Sequence, residues 1–420
     1  MTAATEPPPR IATLDIVRGV AVMGILAMNI VGFAMIPNAY MNPNAYGMDG
    51  TADLVSYFVS FVLIDGKMRG LFSFLFGASM LLVIEKADAK GEDPATVHYR
   101  RMLWLLAFGL LHFFFIWYGD ILTGYALVGM VAYLWHGRSA QALLVWGLVF
   151  VLVQLLLFAV FAAMAHGLAS GMAQPNPSAQ VVAGWSEMSK GLTVPTDAEL
   201  AKESAVFLGS WWGVAMNQFR AHALDPLVMM MIFGWETLGY MLLGMAGLKS
   251  GFLTGGWDNA RYRRVALAGF GIGIPAYSFI AWKLIEDGHS VPGIFTWAFA
   301  ATVPLRPLMV VATAALIILL TRRGAALTQR IAAAGRAAFT NYLGTSILMT
   351  GLFYGWGVGL FGQLSRAELW LVVLAAWALM LLWSKPWLER HQYGPFEWLW
   401  RSLSRGSRQP MRRPAPAAAE

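Results

Sequence analysis

The sequence predicts an all-α, polytopic integral membrane protein with about ten transmembrane helices and both termini in the cytoplasm. Composition is the first observation: of 420 residues, 58% are hydrophobic and only 13% are charged, and the mean hydropathy is +0.58. A soluble domain of this size does not have such a composition. Two further observations are the number of apolar runs long enough to cross a bilayer and the placement of basic residues between them.

Ten apolar runs are long enough to cross roughly 30 Å of hydrocarbon. They lie near 16–37, 70–86, 102–118, 121–136, 141–167, 226–248, 265–284, 294–320, 337–355 and 367–384. The fourth run is short, so we expect its helix to stand nearly upright or to draw in its flanks. Residues 53–65 are too few to span, and we interpret them as an interfacial or re-entrant helix with Asp65, Lys67 and Arg69 at its polar end.

Basic residues set the predicted orientation. With ten spans and an internal N terminus, most of the 30 Lys and Arg residues fall in segments assigned to the cytoplasm, as the positive-inside rule requires. Counting 53–65 as a full span would invert the later segments and lose this asymmetry. The predicted divisions are a cytoplasmic segment 1–15, an N-terminal bundle 16–167, an external loop 168–221, a C-terminal transmembrane domain 222–402 and a disordered basic tail 403–420. Within the external loop, PTDAEL at 195–200 predicts the start of a short helix.

Several chemistries are excluded or disfavoured by composition. Cysteine is absent, which excludes disulfides, thiolate catalysis and cysteine metal sites. The seven histidines are scattered without an HExxH pattern, so we expect no metal site. The net charge of +7 reflects topology and does not indicate nucleic-acid binding. Residues 1–9, MTAATEPPP, lack a basic n-region, which favours an uncleaved first helix over a signal peptide.

The first helix carries polar residues that packing alone does not explain. In TLDIVRGVAVMGILAMNI at 13–30, Asp15 and Arg18 stand at the start of the apolar run, where a long side chain can reach the surface. Asn29 lies about two-thirds of the way along, and an amide in hydrocarbon needs a polar partner. Two interpretations remain open: Asn29 joins two helices by a hydrogen bond, or it faces a polar cavity in which chemistry occurs.

His112 stands among aromatic residues in WLLAFGLLHFFFIWYGD, roughly 16 Å into the membrane from Arg101 at helical rise. Its imidazole could act as a general base, a nucleophile or an acyl carrier, or it could donate a hydrogen bond between helices. Asp120 follows at the outer end of this hairpin, where its most direct role is to cap the helix that begins at Ile121.

Arg306 occupies the middle of a span, between Pro304 and Pro307 in ATVPLRPLMV. The two prolines break the helical hydrogen bonds, so a kink around a hydrated pocket is expected. A buried arginine must meet an acid, for which Glu236 is the natural candidate, or bind an anionic ligand such as a phosphate. Lys67 and Arg69 could line the same site, although contact with lipid headgroups is their default.

Three stretches resemble a known family. They are RIATLDIVRGVAVMGILAMNI, GLLHFFFIWYGDILTGYALVG and the C-terminal region from GRAAFTNYLGTSILM to YGPFEWLWRSL. All three are similar to the bacterial YeiB-like membrane proteins, whose C-terminal half is catalogued as domain of unknown function 418. The resemblance covers nearly the whole chain. It implies a fold class but no activity, because the family itself has no settled one.

The N-terminal half also resembles the transmembrane acyltransferase superfamily, which includes heparan-α-glucosaminide N-acetyltransferase. The similarity rests on a D-x-x-R-G step at Asp15 and Arg18, on Asn29, and on the A-D-L at 52–54. It implies transfer of an acetyl group from cytosolic acetyl-CoA across the membrane. That enzyme carries its essential histidine between the asparagine and the A-D-L, whereas the loop here, IPNAYMNPNAYGMDGT, has none. Either His112 supplies the imidazole, or transfer is direct, or the activity is absent.

The preferred hypothesis is a bacterial inner-membrane, multi-pass acyltransferase that moves an acyl group from acyl-CoA to a hydroxyl or amine of an envelope glycan or lipid. Asn29 and His112 are the predicted catalytic residues, in one central cavity with Arg306. The predicted substrate- and acyl-CoA-binding residues are Asp15, Arg18, Lys67, Arg69, Asp120, Glu236, Arg306 and Asn341. Acyl-CoA is the expected cosubstrate, and no tightly bound cofactor is expected. The alternatives are a secondary transporter whose Arg306–Glu236 pair binds an anionic solute, and a non-catalytic scaffold.

Overall fold

The computed structural model describes residues 12–48, 50–322 and 324–413. In chain order the α-helices are α1 (Ala12–Ala34), α2 (Asn38–Met41), α3 (Thr51–Leu63), α4 (Lys67–Asp88), α5 (Pro94–Phe115), α6 (Leu122–Ala132), α7 (Ala140–Met172), α8 (Ala179–Ser189), α9 (Asp197–Phe207), α10 (Trp211–Ala221), α11 (Asp225–Lys249), α12 (Asn259–Glu286), α13 (Val291–Gly293), α14 (Arg306–Thr321), α15 (Ala326–Arg336), α16 (Ala338–Phe353), α17 (Leu369–Arg390) and α18 (Pro395–Arg405). A π-helical segment, Ile294–Ala300, joins α13 to α14. The predictions for residues 1–11 and 414–420 lie outside the described residues.

The fold is that of an all-helical membrane protein. Within the described ranges, six helical segments are long and apolar enough to cross a membrane: α1, the pair α3–α4, α7, α11, α12 and α17. Shorter apolar helices lie at Leu122–Trp135, Val291–Ala300 and Arg306–Thr321. Each of the ten predicted apolar runs contains helix, although a turn divides the run 294–320. The apolar pattern does not predict α15 and α18, because both are short and carry several polar residues.

Helix α1 is the central element of the bundle. In its most apolar stretch 78% of the residues are buried, against 28% for α7 and for α17. It packs against α4, α15, α16 and α17. Glycines allow α1 and α15 to pack closely. A Cβ at Gly19 would lie 2.1 Å from the carbonyl oxygen of Ile331, and one at Gly335 would lie 1.8 Å from the carbonyl oxygen of Asp15. The polar start of α1 is therefore buried against α15.

Two of the apolar segments are interrupted, and the interruptions touch. The chain turns at 64–66 between α3 and α4, and again at 301–305 before α14. The second break is the kink predicted around Arg306, and Pro304 accounts for it. Gly66 has a φ of +69°, and a Cβ there would lie 2.7 Å from Nε of Arg306. Only glycine fits this turn, because it lacks a side chain and tolerates positive φ.

The segment 168–221 is largely helical. It contains α8, α9 and α10, and Thr196 and Glu199 form a capping box at the start of α9, which confirms the short helix predicted from PTDAEL. Phe207 of α9 and Val214 of α10 pack into a cluster with Trp117 and Tyr354. We call this end of the bundle, formed by α9, α10, Tyr118 and Tyr354, the capped face.

The opposite end is formed by the N-terminal parts of α1 and α5 together with α18, and we call it the basic face. The prediction of disorder from residue 403 is wrong for residues 403–413. Helix α18 continues to Arg405, and the backbone after it folds back, with the Gln392 N–H donating to the Met411 carbonyl at 2.9 Å. Hydrogen bonds to the preceding loop hold this part of the tail in place.

Glu397 explains why α18 is fixed to the bundle. Its Oε1 accepts hydrogen bonds from the backbone N–H groups of Phe339 (2.6 Å) and Thr340 (3.1 Å), at the start of α16. A carboxylate at a helix N-terminus satisfies donors that have no partner within the helix and interacts favourably with the helix dipole. The tail stretch YGPFEWLWRSL thus supplies the cap of α16.

Replacing Glu397 with alanine should lower the free energy of unfolding by about 1–2 kcal/mol, because α16 loses this cap. Thermal unfolding of the purified protein, followed by tryptophan fluorescence, measures the change. Glu389→Ala is the matched control, since Glu389 is 62% exposed and lies on the neighbouring helix α17. An equal effect of both substitutions would contradict the capping role.

Candidate functional site

A buried His–Asp pair lies where α5 ends and α6 begins. His112 Nδ1 is 2.9 Å from Asp120 Oδ1, and both side chains are essentially inaccessible to solvent. The second carboxylate oxygen accepts from the Thr123 N–H at 2.7 Å, so Asp120 caps α6 as predicted and also orients the imidazole. A carboxylate partner places the proton on Nδ1 and leaves Nε2 as an acceptor. His112 Nε2 is buried and has no hydrogen-bond partner among the described residues.

Tyr342 of α16 lies between His112 and Asn29. The ring centroids of His112 and Tyr342 are 5.2 Å apart, and the Tyr342 hydroxyl accepts from the Ile121 N–H at 3.3 Å. On its other side Tyr342 lines a small cavity with Asn29 of α1 and Ser346 of α16. The cavity measures about 10 Å³, which is room for roughly one water molecule. An acyl group can enter only if α1 and α16 move apart.

The structure distinguishes the two asparagines. Asn29 is 6% exposed, and no side-chain hydrogen bond joins it to another described residue, which favours the cavity interpretation over a link between helices. Asn341 is engaged within the protein: its amide donates to the Ala334 carbonyl (3.0 Å) and the Ser384 hydroxyl (3.3 Å), and its oxygen accepts from the Trp383 indole (2.9 Å). These bonds show that Asn341 holds α15, α16 and α17 together, although it also lines the small cavity beside Asn29.

A second site surrounds Glu236, which is completely buried on α11. Arg306 Nη1 donates to both of its carboxylate oxygens, at 2.5 and 2.6 Å, and Arg69 Nη2 donates to one of them at 2.8 Å. Tyr240 donates to the same carboxylate at 3.3 Å, and Arg306 Nη2 reaches the Thr302 hydroxyl at 2.6 Å. The Arg306–Glu236 pair, one of the two alternatives for Arg306, is present, and Arg69 makes it a three-charge cluster with an excess of one positive charge.

Lys67 and Arg69 do not point toward lipid headgroups, which is where such side chains are ordinarily expected. Lys67 is fully buried: its Nζ donates to the Phe61 carbonyl at 2.5 Å and lies 3.2 Å from the centroid of the Tyr277 ring. Both residues sit just after the break at Gly66. The cluster is about 20 Å from the end of α11 at Lys249, near the middle of the bundle.

The prediction that Asn29, His112 and Arg306 share a single central cavity is wrong. Arg306 is held among α4, α11 and α14, whereas His112 and Asn29 meet around Tyr342 at the junction of α1, α5 and α16. Asp15 and Arg18 are elsewhere again, since Arg18 pairs with Asp15 at 3.0 Å and donates to Ser79 at 2.7 Å. Hydrophobic periodicity along single helices does not show which polar residues of different helices lie at the same depth in the membrane and face one another.

The A-D-L stretch has a structural role at the capped face. Asp53 is buried and accepts from the Ala367 N–H at 2.9 Å, which ties α3 to the loop before α17. An open cavity of about 540 Å³ lies beside it, between the loops at 44–48 and 362–368. None of the predicted site residues lines this cavity.

Sequence reasoning missed three buried polar groups at the capped face, one on α9, one on α10 and one at the end of α16. The Tyr354 hydroxyl, the Gln218 side-chain oxygen and one Glu203 carboxylate oxygen are buried without hydrogen-bond partners in the described part of the chain. Burial raises the pKa of the Glu203 carboxyl. These residues belong to a connecting segment and to a loop start, where polar residues are expected, so the sequence carries no signal that they are buried.

With the fold and these sites in view, the class of protein is that of helical membrane proteins with a C-terminal domain of unknown function. A family model described as "Protein of unknown function (DUF418)" matches residues 248–407. The chain is 32% identical to the uncharacterised protein YxaH of Bacillus subtilis (strain 168) over 96% of both chains. It is 29% identical to the uncharacterised protein YeiB of Escherichia coli (strain K12), over 94% of this chain and 96% of that protein. The chain belongs to this YeiB-like DUF418 family. No solved structure matches it.

Proposed function

We propose that this protein is a membrane-embedded acyltransferase in which His112 is the general base. One observation carries the proposal: a buried imidazole, oriented by Asp120 through Nδ1, whose Nε2 has no partner among the described residues. Leaving this buried nitrogen without a partner costs about 1–3 kcal/mol, and a purely structural role for His112 offers nothing to offset that cost. In the nucleophile–base–orienter arrangement of acyl-transfer enzymes, the ring nitrogen opposite the carboxylate likewise faces the group whose proton it takes.

The reaction moves an acyl group from the thioester of acyl-CoA to an acceptor hydroxyl or amine. The acceptor oxygen or nitrogen attacks the acyl carbon as His112 Nε2 takes its proton, and the carbon–sulfur bond then breaks. The imidazolium returns that proton to the departing thiolate, so CoA leaves as the thiol and the base is restored. Asn29 would donate its amide N–H to the carbonyl oxygen as negative charge develops there.

The proposal includes an orientation in the bacterial inner membrane. In this orientation the chain would cross the membrane ten times, with the basic face in the cytoplasm and the capped face outside, and the charge bias along the sequence supports it. His112 lies about 27 Å along α5 from Pro94, so the reaction would occur near the outer side. The buried polar atoms of Glu203, Gln218 and Tyr354 at the capped face suit an acceptor rich in hydroxyl or amine groups, such as an envelope glycan or lipid.

Single cysteines introduced into the cysteine-free chain test this orientation. In intact cells Lys190→Cys should react with a membrane-impermeant maleimide, whereas Lys90→Cys should react only after the membrane is opened. Both side chains are exposed, and they lie at the ends of α8 and α4. Labelling of Lys90→Cys in intact cells would overturn the ten-crossing arrangement.

The activity itself is tested by following release of free thiol from acetyl-CoA by purified protein in neutral detergent, with water or added glucosamine as the acceptor. Thiol release above that of the His112→Ala variant supports the proposal. Wild-type protein that releases no more thiol than the variant, with several acyl chain lengths and acceptors, would contradict it.

A secondary transporter is the second candidate, and the Glu236 cluster favours it. Two interrupted helical segments meet at a buried charge cluster near the middle of the bundle, which is the arrangement that many transporters use to bind an ion or an anionic solute. Flux of labelled anions into proteoliposomes tests this function. Flux that disappears in Arg306→Met, from protein that still folds, would support transport, whereas thiol release without flux would favour the acyltransferase.

A further inference from the structure

The loops at 44–48 and 362–368 enclose the open cavity of about 540 Å³ beside Asp53, and we call it the loop cavity. Pockets that bind small molecules typically measure about 300–1,000 Å³, so the loop cavity is large enough for a ligand. It lies at the capped face, because Phe361, next to one of its loops, stacks on Phe207 of α9 with 4.7 Å between ring centroids. The residues of the two sites described above do not line it.

Hydrogen bonds hold the two loops of the cavity together. Arg366 is only 6% exposed, and its Nη2 donates to the Ala39 carbonyl at 2.5 Å and to the Tyr46 carbonyl at 3.3 Å. The Tyr46 hydroxyl donates to the Gly362 carbonyl. Because breaking these bonds would leave a buried guanidinium without partners, the separation of the loops is fixed. The loop cavity is therefore preformed, which reduces the cost of ordering it when a ligand binds.

The lining of the loop cavity favours a polar ligand without negative charge. Its side chains with hydrogen-bonding groups are Asn44, Tyr46, Gln363, Ser365 and Glu368. In the described part of the chain no basic side chain lines it, so a phosphate would meet only neutral groups and one carboxylate. Apolar side chains are a minority of the lining, so a lipid tail would leave polar groups without partners.

The amide donors of the lining are used within the protein, whereas several oxygen acceptors are not. The Asn44 amide donates to the Gly288 carbonyl at 3.2 Å, and the Gln363 amide donates to a backbone carbonyl four residues earlier at 2.8 Å. Glu368 Oε2 accepts from the Ser365 N–H at 2.8 Å. The other side-chain oxygens of Asn44, Gln363 and Glu368 accept no hydrogen bond from another described residue. Such oxygens bind hydroxyl groups and, at a carboxylate, an ammonium group.

The loop cavity lies over the end of α1 that carries Asn29. The Gly362 N–H donates at 2.8 Å to the carbonyl of Ala34, the last residue of α1. Asn29 is five residues earlier, about 7.5 Å at helical rise. The Trp117 indole donates to a carbonyl in the same last turn at 3.3 Å, and its ring centroid is 6.3 Å from that of His112. A chain held in the loop cavity is therefore next to the proposed acyl-transfer site.

From these observations we infer that the loop cavity binds the acceptor, and that the acceptor is a glycan with free amino groups and not a lipid. The inference rests on the proposed acyltransferase function. One amino sugar would lie in the loop cavity, with its ammonium group at Glu368 and its hydroxyl groups on the free oxygens of Asn44 and Gln363. The next sugar of the chain, with its amine unprotonated, would reach His112 when α1 and α16 separate.

The probe is chitobiose, the disaccharide of glucosamine, titrated calorimetrically into full-length protein in neutral-lipid nanodiscs. The Gln363→Leu/Glu368→Gln variant should bind it about tenfold more weakly than wild type, because one charge-assisted contact and one hydrogen bond are lost. The amide introduced at position 368 can still accept from the Ser365 N–H, so the loop should keep its fold. If the double variant does not fold, Gln363→Leu replaces it, with binding about threefold weaker.

The matched control is Gln180→Leu/Glu187→Gln. It makes the same chemical changes at two exposed residues of α8 that do not line the loop cavity, and it should bind chitobiose like wild type. N,N′-Diacetylchitobiose, whose amino groups are acetylated, should bind to wild type about tenfold more weakly than chitobiose, because it has no ammonium group for Glu368. Glu368→Gln should remove this preference.

Four results would overturn the inference: no binding of chitobiose to wild type, unchanged binding in the double variant, equal weakening in the control, or equal affinity for the acetylated disaccharide. Thiol release from acetyl-CoA with phosphatidylethanolamine as the acceptor, but not with chitobiose, would assign the acceptor to lipid and would also overturn it. Failure of the proposed function is separable. Chitobiose binding without thiol release leaves the glycan site in place, whereas thiol release with glucosamine but no chitobiose binding removes that site alone.

Discussion

Replacing His112 with alanine should lower the rate of acyl transfer by about 10²–10⁴-fold, with acyl-CoA affinity little changed. The substitution removes the only free ring nitrogen of the buried pair, and nothing else at the junction of α5, α6 and α16 among the described residues carries a base in that position. Initial rates of thiol release at saturating and at limiting acyl-CoA separate an effect on turnover from an effect on binding.

Asp120→Asn is the more diagnostic substitution. The asparagine oxygen can still accept from the Thr123 N–H and keep the cap of α6, but the amide nitrogen then faces His112 Nδ1. The imidazole would shift its proton to Nε2 and lose its basic nitrogen there. The fold should therefore survive while the rate falls by a factor of the same order as for His112→Ala, about 10²–10⁴-fold.

His98→Ala is the matched control for both. His98 is a buried histidine on the same helix, but its Nε2 contacts the Gly129 carbonyl at 3.0 Å, so its role is structural. It should reduce stability without reducing the rate per folded molecule. Full activity in His112→Ala, or loss of activity in proportion to lost stability, would eliminate the proposed mechanism.

Glu236→Gln should be the most destabilising single substitution in the charge cluster, lowering the free energy of unfolding by about 3–5 kcal/mol. It removes the one carboxylate that neutralises both Arg306 and Arg69 in a buried setting. Arg306→Met should cost less, because Arg69 remains to pair with Glu236. Thermal unfolding in detergent, measured for each variant, shows which substitution lowers stability more.

The double variant Glu236→Gln/Arg306→Met should recover part of the stability lost in Glu236→Gln, since it leaves only the partly exposed Arg69 without its partner. Glu286→Gln, which breaks a surface pair with Lys283, is the control and should change stability by less than about 1 kcal/mol. If Arg306→Met proved as costly as Glu236→Gln, Arg69 would not be contributing to the neutralisation.

The sequence predicts the apolar runs, the kink at Arg306 and the helix after Thr196, and it offers the pairing of Arg306 with Glu236 as one of two alternatives. Each depends on a local pattern or on the cost of an unpaired charge in an apolar setting. The positions of Lys67 and Arg69 could not be predicted in this way. The turn at Gly66 decides whether Lys67 and Arg69 reach the surface or point into the bundle. A glycine in the sequence indicates a turn but not its direction.

The side chains that surround the two sites could not be predicted from the sequence either. Tyr342, Thr302 and Tyr240 are ordinary residues of apolar helices until the tertiary contacts place a charge or an imidazole beside them. Glu397 is a similar case, because a cap supplied from 57 and 58 positions away leaves no spacing pattern near α16. Long-range contacts between helices decide these roles.

The buried position of α1 has a consequence for how the protein is made. Its close contact partners at Ile331 and Gly335 leave the ribosome more than 300 residues after Gly19, which is roughly 15–60 s at ordinary rates of synthesis. During that interval Asn29 and the small-residue surface of α1 lack their final neighbours α15 and α16. The first helix made is thus among the last to be enclosed, so truncation before residue 326 should leave it open to membrane proteases and insertases, while shortening the tail beyond α18 should not.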